Sequence, residues 1–527
     1  MAQSPVNSPL ASARPAPRKH DADYIFYELT RSICPECRKV IDAQILLRDN
    51  KVYMRKRCPD HGEVEALIYA DAKAYARNAA YNKPGTIPLE HNHGIERGCP
   101  YDCGLCPDHQ QHTCLGIIEV NSACNMDCPL CFANAGPGFN LTLEEVEGIL
   151  DNLVRTEGQP EVVQFSGGEP SIHPQIVEML RAAKARNIRH VMLNTNGKRI
   201  AQDDQFVADL AELKVSIYFQ FDGFEEHTYE VIRNEPGILP EKLRALDRLA
   251  AAGLGVVLVP AVEKGVNDHE VGAIIKFALK HPAVRGINFQ PAFHAGRHGE
   301  HDPMERMTIP DVLLGVEEQT AGLFKVSDFV PVPCCFPTCN SVTYAFVEGD
   351  TVTPLTRILN VDDYLDYLTN RALPELDVEI KQALEGLWSS SAVPGGDKAA
   401  AEFALSCESC GLAGMELGEI GQKMFMVMLQ DFMDPWTFNQ KNLMKCCKEF
   451  LLPDGHQIPF CSYNTVGYRE QARAQLTARQ RGRHRAKREK REFVPEPITF
   501  KFDLPAATAE ASVRPLPMAA NGRGVPS

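Results

Sequence analysis

The chain carries eighteen cysteines, and their placement constrains its fold more than any other feature. Ten lie before residue 132, eight lie after residue 333, and none falls between. The long cysteine-free stretch must fold on hydrophobic burial alone, with thiol-rich segments on either side. At 527 residues the chain has room for two or three domains. Its 44% hydrophobic and 24% charged residues are those of an ordinary soluble protein. No apolar run approaches the ~20 residues that span a bilayer. Residues Met1 to His20 are rich in Pro, Ala and Ser without an apolar core, so no secretory signal is expected. The expected compartment is therefore the reducing cytoplasm, where grouped cysteines are metal ligands more often than disulfides. A net charge of −14 argues against a nucleic-acid-binding surface.

Inside the cysteine-free stretch and just before it, short β-branched runs alternate with amphipathic segments of helical period. The expected strands are Gly116–Val120, Val162–Ser166, His190–Asn194, Val215–Phe221, Gly255–Ala261 and Gly286–Gln290. The expected helices are Leu143–Thr156, Pro174–Arg186, Asp204–Leu213, Pro240–Ala252 and Asp268–Leu279. This alternation predicts an α/β fold with a parallel sheet of about six βα units, fewer than the eight of a closed barrel. In such folds the chemistry sits at the C-terminal ends of the strands.

The residues at those ends are informative. The first strand runs into Cys124-Asn-Met-Asp-Cys128-Pro-Leu-Cys131-Phe-Ala-Asn. A 4Fe–4S cluster normally takes four thiolates, so a three-thiolate loop leaves one iron open. The bland alternative is a structural zinc or a cluster with a distant fourth ligand. The second strand ends in Ser166-Gly167-Gly168-Glu169-Pro170, where two glycines let the backbone approach a ligand closely. Glu169 reads either as a carboxylate for a ligand's ammonium or as a plain helix cap. Asn194-Thr195-Asn196-Gly197 and Asp222-Gly223 follow the third and fourth strands and are also ordinary turn chemistry.

Three further cysteine sets flank this core. Cys34-Pro-Glu-Cys37 and Cys58-Pro-Asp-His61 form a zinc-ribbon or rubredoxin-like clip, a closed site for zinc or mononuclear iron. Cys99, Cys103 and Cys106 repeat the x3, x2 spacing, and Cys114 follows. The reading is an auxiliary 4Fe–4S cluster, with zinc as the alternative. The late set comprises Cys334, Cys335, Cys339, Cys407, Cys410, Cys446, Cys447 and Cys461. The quartet chosen for a further cluster is Cys335, Cys339, Cys447 and Cys461. Arg469–Arg491 holds ten Lys/Arg against two Glu. It reads as an exposed, solvated helix, with a basic contact to an acidic partner or a peripheral membrane contact as the sharper reading.

From about Ile33 to about Tyr468 the chain resembles the radical S-adenosylmethionine (SAM) superfamily. The likeness is to the branch of tetraether lipid synthases and dihydropterin dimethyltransferases. It rests on the N-terminal clip, the doubled C-x3-C-x2-C, Cys-Pro-Leu-Cys-Phe-Ala-Asn-Ala-Gly, Ser-Gly-Gly-Glu-Pro and the late Pro-Phe-Cys-Ser-Tyr-Asn. The resemblance implies a partial (β/α)6 radical SAM barrel. It implies that Cys124, Cys128 and Cys131 hold the SAM-binding 4Fe–4S cluster. SAM would lie against Ser166, Gly167, Gly168, Glu169, Asn196, Asp222, Lys264 and Gln290. A ferredoxin or flavodoxin would supply the electron that cleaves SAM to a 5′-deoxyadenosyl radical. The first reading of the reaction is carbon–carbon coupling of lipid chains; methyl transfer to a pterin-like molecule is the alternative. A non-catalytic metal-binding redox protein is a third reading. It requires Glu169 to be dispensable. The expected organisation is a disordered tail (1–25), an N-terminal metal-binding region (26–115) and the barrel (116–325). A cysteine-rich auxiliary region (326–468) follows, then a basic helix with a disordered tail (469–527). The oligomeric state is left open.

Overall fold

The structure, a computed structural model, describes residues 22–332, 335–357 and 423–502. Near the N-terminus, β1 (Ile25–Ile33), β2 (Val40–Arg48), β3 (Lys51–Cys58) and β4 (Gly62–Tyr69) form an antiparallel sheet in the order β1-β2-β3-β4. Helix α1 (Ala72–Asn78), capped by Asp71, follows it.

The main sheet is built by the expected alternation. Its central strands are β5 (Leu115–Asn121), β6 (Val162–Gly167), β7 (His190–Thr195), β8 (Ser216–Gln220), β9 (Val256–Val259) and β11 (Val284–Pro291). They lie side by side in chain order, every pair parallel, with β10 (Ala261–Val262) on the tip of β11. The strand interiors are buried on both faces, as in Val191–Leu193 and Val256–Leu258, which is why they read as continuous apolar runs. The crossovers are α2 (Leu143–Glu157), α3 (Ile176–Lys184), α4 (Lys198–Gln202), α5 (Asp204–Glu212), α6 (Glu226–Arg233), α7 (Leu239–Ala251) and α8 (Val271–Lys280). Helix α2 shows the local logic. Thr142 and Glu145 close a capping box, and Val146, Ile149, Leu150 and Leu153 form the buried stripe.

The sheet extends beyond the six expected strands. After α9 (Ile309–Gln319) come β12 (Asn340–Glu348), β13 (Thr351–Pro354) and β14 (Met424–Gln430). Strand β14 adds parallel to β11, and β12 and β13 complete that edge antiparallel. On the other edge β15 (Lys448–Leu451) pairs parallel with β5 and antiparallel with β16 (Gln457–Pro459). The C-terminal cysteine region thus contributes strands to the barrel sheet at both edges.

The last helices among the described residues are α10 (Gln440–Leu443), α11 (Phe460–Thr465) and the 22-residue α12 (Tyr468–Glu489). Two expectations are corrected here. Helix α12 is not freely solvated, because Ala472, Leu476 and Ala486 are buried and Arg469 is paired with Glu119. The start of the expected C-terminal tail is also packed. Phe500 lies against Tyr468 and Phe502 against Tyr101 and Tyr468, and Ile498 is buried. At the other end β1 begins at Ile25, inside the expected tail. The expected linker Ser389–Ala400 and Cys334, Cys407 and Cys410 lie outside the described residues.

Candidate active site

A cleft opens at the C-terminal ends of the parallel strands, and Cys124, Cys128 and Cys131 line it together with Ser166–Pro170. The backbone stitches these two segments together. Gly168 N–H donates to Asn121 O at 3.0 Å and Glu169 N–H to Ala123 O at 2.9 Å. Gly167 has φ +140°, and a Cβ there would meet Asn121 O at 2.2 Å. A Cβ on Gly168 would meet Ala123 O at 2.2 Å, so only glycine permits this approach.

Two backbone N–H groups aim at sulfur in the cysteine loop. Met126 N–H donates to Cys124 Sγ at 3.4 Å and Ala135 N–H to Cys131 Sγ at 3.5 Å. Burial pushes the Cys124 thiol up to about 12, against the Met126 N–H, with the Glu169 carboxylate adding to the rise. A thiol so placed ionises when it binds metal. Cys131 also exchanges backbone hydrogen bonds with Arg297 at 2.8 and 3.0 Å. Three convergent thiols beside a glycine cradle fit a cluster with one open iron and a ligand on it.

Glu169 does cap the short 3-10 turn Pro170–Ile172. Oε1 accepts from Ser171 N–H at 3.0 Å and from Thr195 Oγ1–H at 2.8 Å, and Oε2 accepts from Asn196 N–H at 2.8 Å. Burial raises its carboxyl above the ordinary value, against these donors. Of the other expected SAM contacts, Ser166, Asn196 and Gln290 line the cleft. Asp222 does not; it sits behind the wall, holding Arg233 through bonds of 2.8 and 2.7 Å, and Arg233 lines the cleft in its place. Lys264 is a correction. It is exposed and paired with Glu305, because the turn after β10 carries it away from the cleft.

The floor of the cleft joins Asn194, Gln220 and Asn288, strand-end residues visible in the sequence as possible SAM or substrate contacts, with Gln164, Gln430, Tyr218 and Lys448, which the sequence did not mark. With Gln290, the six carboxamides come from five strands. Tyr218 accepts from Gln290 Nε2 at 2.9 Å and from Asn288 Nδ2. Asn288 Oδ1 is buried with no donor in reach. Phe132, Phe432 and Phe460 form an aromatic wall, Phe432 and Phe460 stacked with centroids 4.0 Å apart. Asn and Gln are poor strand formers, and their recurrence in strand interiors was the available signal.

The clip is formed as expected. Cys34 Sγ and Cys58 Sγ each lie 3.5 Å from His61 Nδ1, and Cys37 Sγ lies 3.8 Å from Cys58 Sγ. Metal–sulfur and metal–nitrogen bonds of zinc length imply tetrahedral edges of about 3.8 Å for S···S and about 3.6 Å for S···N. Burial acts to raise the Cys58 thiol, but hydrogen bonding from His61 and the backbone brings it down to about 6.

The second set is divided. Burial raises the Cys103 thiol, and Cys99, Cys106 and, from the late set, Cys446 lie close enough to add to the rise. Cys114 instead sits 3.5 Å from His112 Nε2 in a group with Glu161. The late cysteines are neighbours without a quartet singled out, since Cys446 also lies beside Cys339 and Cys461. Cys335 Sγ is 3.1 Å from Cys447 Sγ, and Cys461 and Cys335 both add to the rise that burial gives Cys339. A group missed in the sequence, His294, His301 and Asp434, joins the loop after β11 to that after β14. Its two imidazoles are stacked 3.9 Å apart, and Arg306 holds Asp434 Oδ2 at 2.8 Å.

Comparison with known proteins agrees with this geometry. The model of the radical SAM superfamily matches residues 118–278, and that of the HMPTM N-terminal zinc ribbon domain matches residues 26–70. The 7,8-dihydro-6-hydroxymethylpterin dimethyltransferase of Methanocaldococcus jannaschii is 35% identical over 480 residues, 84% of this chain and 94% of its own. A GTP 3′,8-cyclase of Chlorobaculum tepidum is 32% identical over 178 residues, 33% of this chain and 53% of its own. The chain belongs to the radical SAM superfamily. It is an enzyme of that class, with SAM and a 4Fe–4S cluster as cofactors and a zinc-ribbon domain at its N-terminus. Among solved structures, Streptococcus suis SuiB bound to its precursor peptide SuiA overlaps 41% of this chain and 46% of its own, at 15% identity and a TM-score of 0.35. No helix among the described residues is long and apolar enough to cross a membrane.

Proposed function

We propose that the chain is a radical SAM methyltransferase acting on a pterin-like heterocycle. The observation that carries this is the cleft floor, where six carboxamides, a tyrosine and a lysine face one space beneath an aromatic wall. A pterin presents donors and acceptors around a flat ring, and a site built of carboxamides discriminates by such bonds. Lipid-chain coupling, the first reading of the sequence, wants a long apolar channel. The relative named as a dihydropterin dimethyltransferase supports the alternative instead.

Cys124, Cys128 and Cys131 are assigned to the SAM-binding cluster. When bound and reduced, the cluster would cleave one SAM to methionine and the 5′-deoxyadenosyl radical that takes hydrogen from a substrate carbon; the methyl group would have to come from a separate donor, a second SAM or a one-carbon carrier, present in the assay. The protein does the positioning. Gly167 and Gly168 bring backbone against SAM. Glu169 holds the Thr195–Asn196 turn in place and keeps lone-pair capacity for the SAM ammonium. Arg233, fixed by Asp222, presents a cation beside Cys128. Phe132, Phe432 and Phe460 keep water from the far side. Two auxiliary clusters are assigned, one near Cys99, Cys103 and Cys106, the other among Cys335, Cys339, Cys446, Cys447 and Cys461.

The test is product analysis. Anaerobically reconstituted protein is incubated with SAM, a one-carbon carrier, a reductant and a dihydropterin, or with lipid chains, and products are weighed by mass spectrometry. A methylated pterin supports the reading; coupled lipid with unchanged pterin overturns it.

A further inference from the structure

Helix α12 contributes no residue to the lining of the cleft. Its inward side lies across the segment that follows the cysteine loop. Arg473 donates to Pro137 O at 3.2 Å and to Asn134 O, three residues after Cys131. Gln480 Oε1 accepts from Asn140 N–H, and Arg483 donates to Asn140 O at 3.1 Å while pairing with Glu145.

Its outward side is different. Arg481, Arg485 and Arg488 recur at i, i+4 and i+7, so they form one stripe, and all three are exposed. None has an ion-pair partner among the described residues. The stripe begins eight residues beyond Arg473, about 12 Å along the axis from the contact with the cysteine loop. This cationic face stands on a chain whose net charge is −14.

We propose that the outward face of α12 is the docking site of the electron donor, a small acidic one-electron carrier protein. The inference rests on the assignment of the cluster to Cys124, Cys128 and Cys131. The reaction needs one electron from outside, and the step moves that electron from reduced donor to oxidised cluster with no bond made or broken. Cations with no ion-pair partner among the described residues, on the helix that holds the segment after the cysteine loop, steer an acidic partner and orient it. A membrane fits the face less well. An interfacial helix needs an apolar face to insert, and here Ala472, Leu476 and Ala486 are turned inward and buried.

The experiment follows cluster reduction in the full-length reconstituted protein by absorbance bleaching, using reduced flavodoxin or photoreduced 5-deazaflavin. In the variant carrying Arg481→Glu, Arg485→Glu and Arg488→Glu, reduction by flavodoxin slows at least tenfold at low salt, and raising the salt narrows the gap. Reduction by deazaflavin and the melting temperature stay as in the wild type. Neither readout involves a pterin, so failure of the substrate reading leaves this result standing. Equal rates with flavodoxin in both proteins would overturn the proposal, as would equal slowing with deazaflavin. Phosphatidylglycerol vesicles that retain the wild type but not the variant, with unchanged flavodoxin rates, would overturn it in favour of a lipid surface. A wild-type cluster that neither donor reduces would overturn the cluster assignment and this proposal with it.

Discussion

Glu169 and Asn196 stand at the tips of neighbouring parallel strands, and the carboxylate Oε2 of the first accepts the backbone N–H of the second at 2.8 Å. With Ser171 and Thr195 on Oε1, the carboxylate ties the cradle of β6 to the turn after β7. Glu169→Gln puts an NH2 where at least one donor now points. We expect a loss of stability of about 1–3 kcal/mol and a weaker SAM complex, with the three cysteines still holding their cluster. Melting curves and SAM titrations of the reduced cluster's electron paramagnetic resonance signal check this on one sample. An unchanged melting temperature would rule out the bonding described.

Lys242 is fully buried, with Nζ donating to Gln220 O at 2.8 Å and to Asn196 O and Gln220 Oε1 at 3.1 Å each. Burial lowers its amine to about 8, against the pull of Asp222. The unfolded chain therefore binds more protons than the folded one above that pH and below the ordinary lysine value near 10.4. Stability attributable to this side chain rises with pH through that window, by at most about 1.4 kcal/mol per unit. Lys242→Met removes the trend, so the gap between wild type and variant widens from pH 7 to pH 10 in chemical denaturation. A gap that narrows would contradict the protonation state assigned.

The metal inventory follows from the cysteine groups. Reconstituted protein should hold more than one 4Fe–4S cluster and one further metal ion. Cys37→Ala should remove the single ion and loosen β1–β4, because the clip joins the β1–β2 turn to the β3–β4 turn. Iron, sulfide and zinc analysis checks both. Only four irons per chain would contradict it.

Asn288→Leu removes a floor carboxamide whose Oδ1 awaits a donor. Dihydropterin binding should weaken by about ten- to a hundredfold, the worth of one to two buried hydrogen bonds, with SAM binding unchanged. Equilibrium titration of each ligand separates the two. Equal loss for both would place Asn288 in the wrong subsite.

The barrel was legible because buried parallel strands write themselves as β-branched runs. All six expected strands formed within a few residues of their expected ends. Strand β14 was missed although Met424–Leu429 is an uninterrupted apolar run, because it stands outside the βα alternation that marks the other parallel strands. Strand β15 has only four residues and is recognisable only through its pairing with β5. The cradle Ser166–Glu169 and the cysteine loop were legible because their spacing is local. Arg233 was not, since it lies eleven residues beyond Asp222 and only the packing of α6 brings the two together. The arginines of α12 looked solvated because a sequence displays charges but not the backbone carbonyls of Asn134, Pro137 and Asn140 that receive them.

On the function proposed, hydrogen is taken from a pterin-like substrate at this cleft. The direct measurement uses a dihydropterin deuterated at its carbon positions, with SAM and reductant, and reads the mass of the 5′-deoxyadenosine formed. Pterin-dependent 5′-deoxyadenosine carrying deuterium is expected, absent when Cys124, Cys128 and Cys131 are together replaced by Ala. Formation of unlabelled 5′-deoxyadenosine at the same rate with and without the pterin would contradict it.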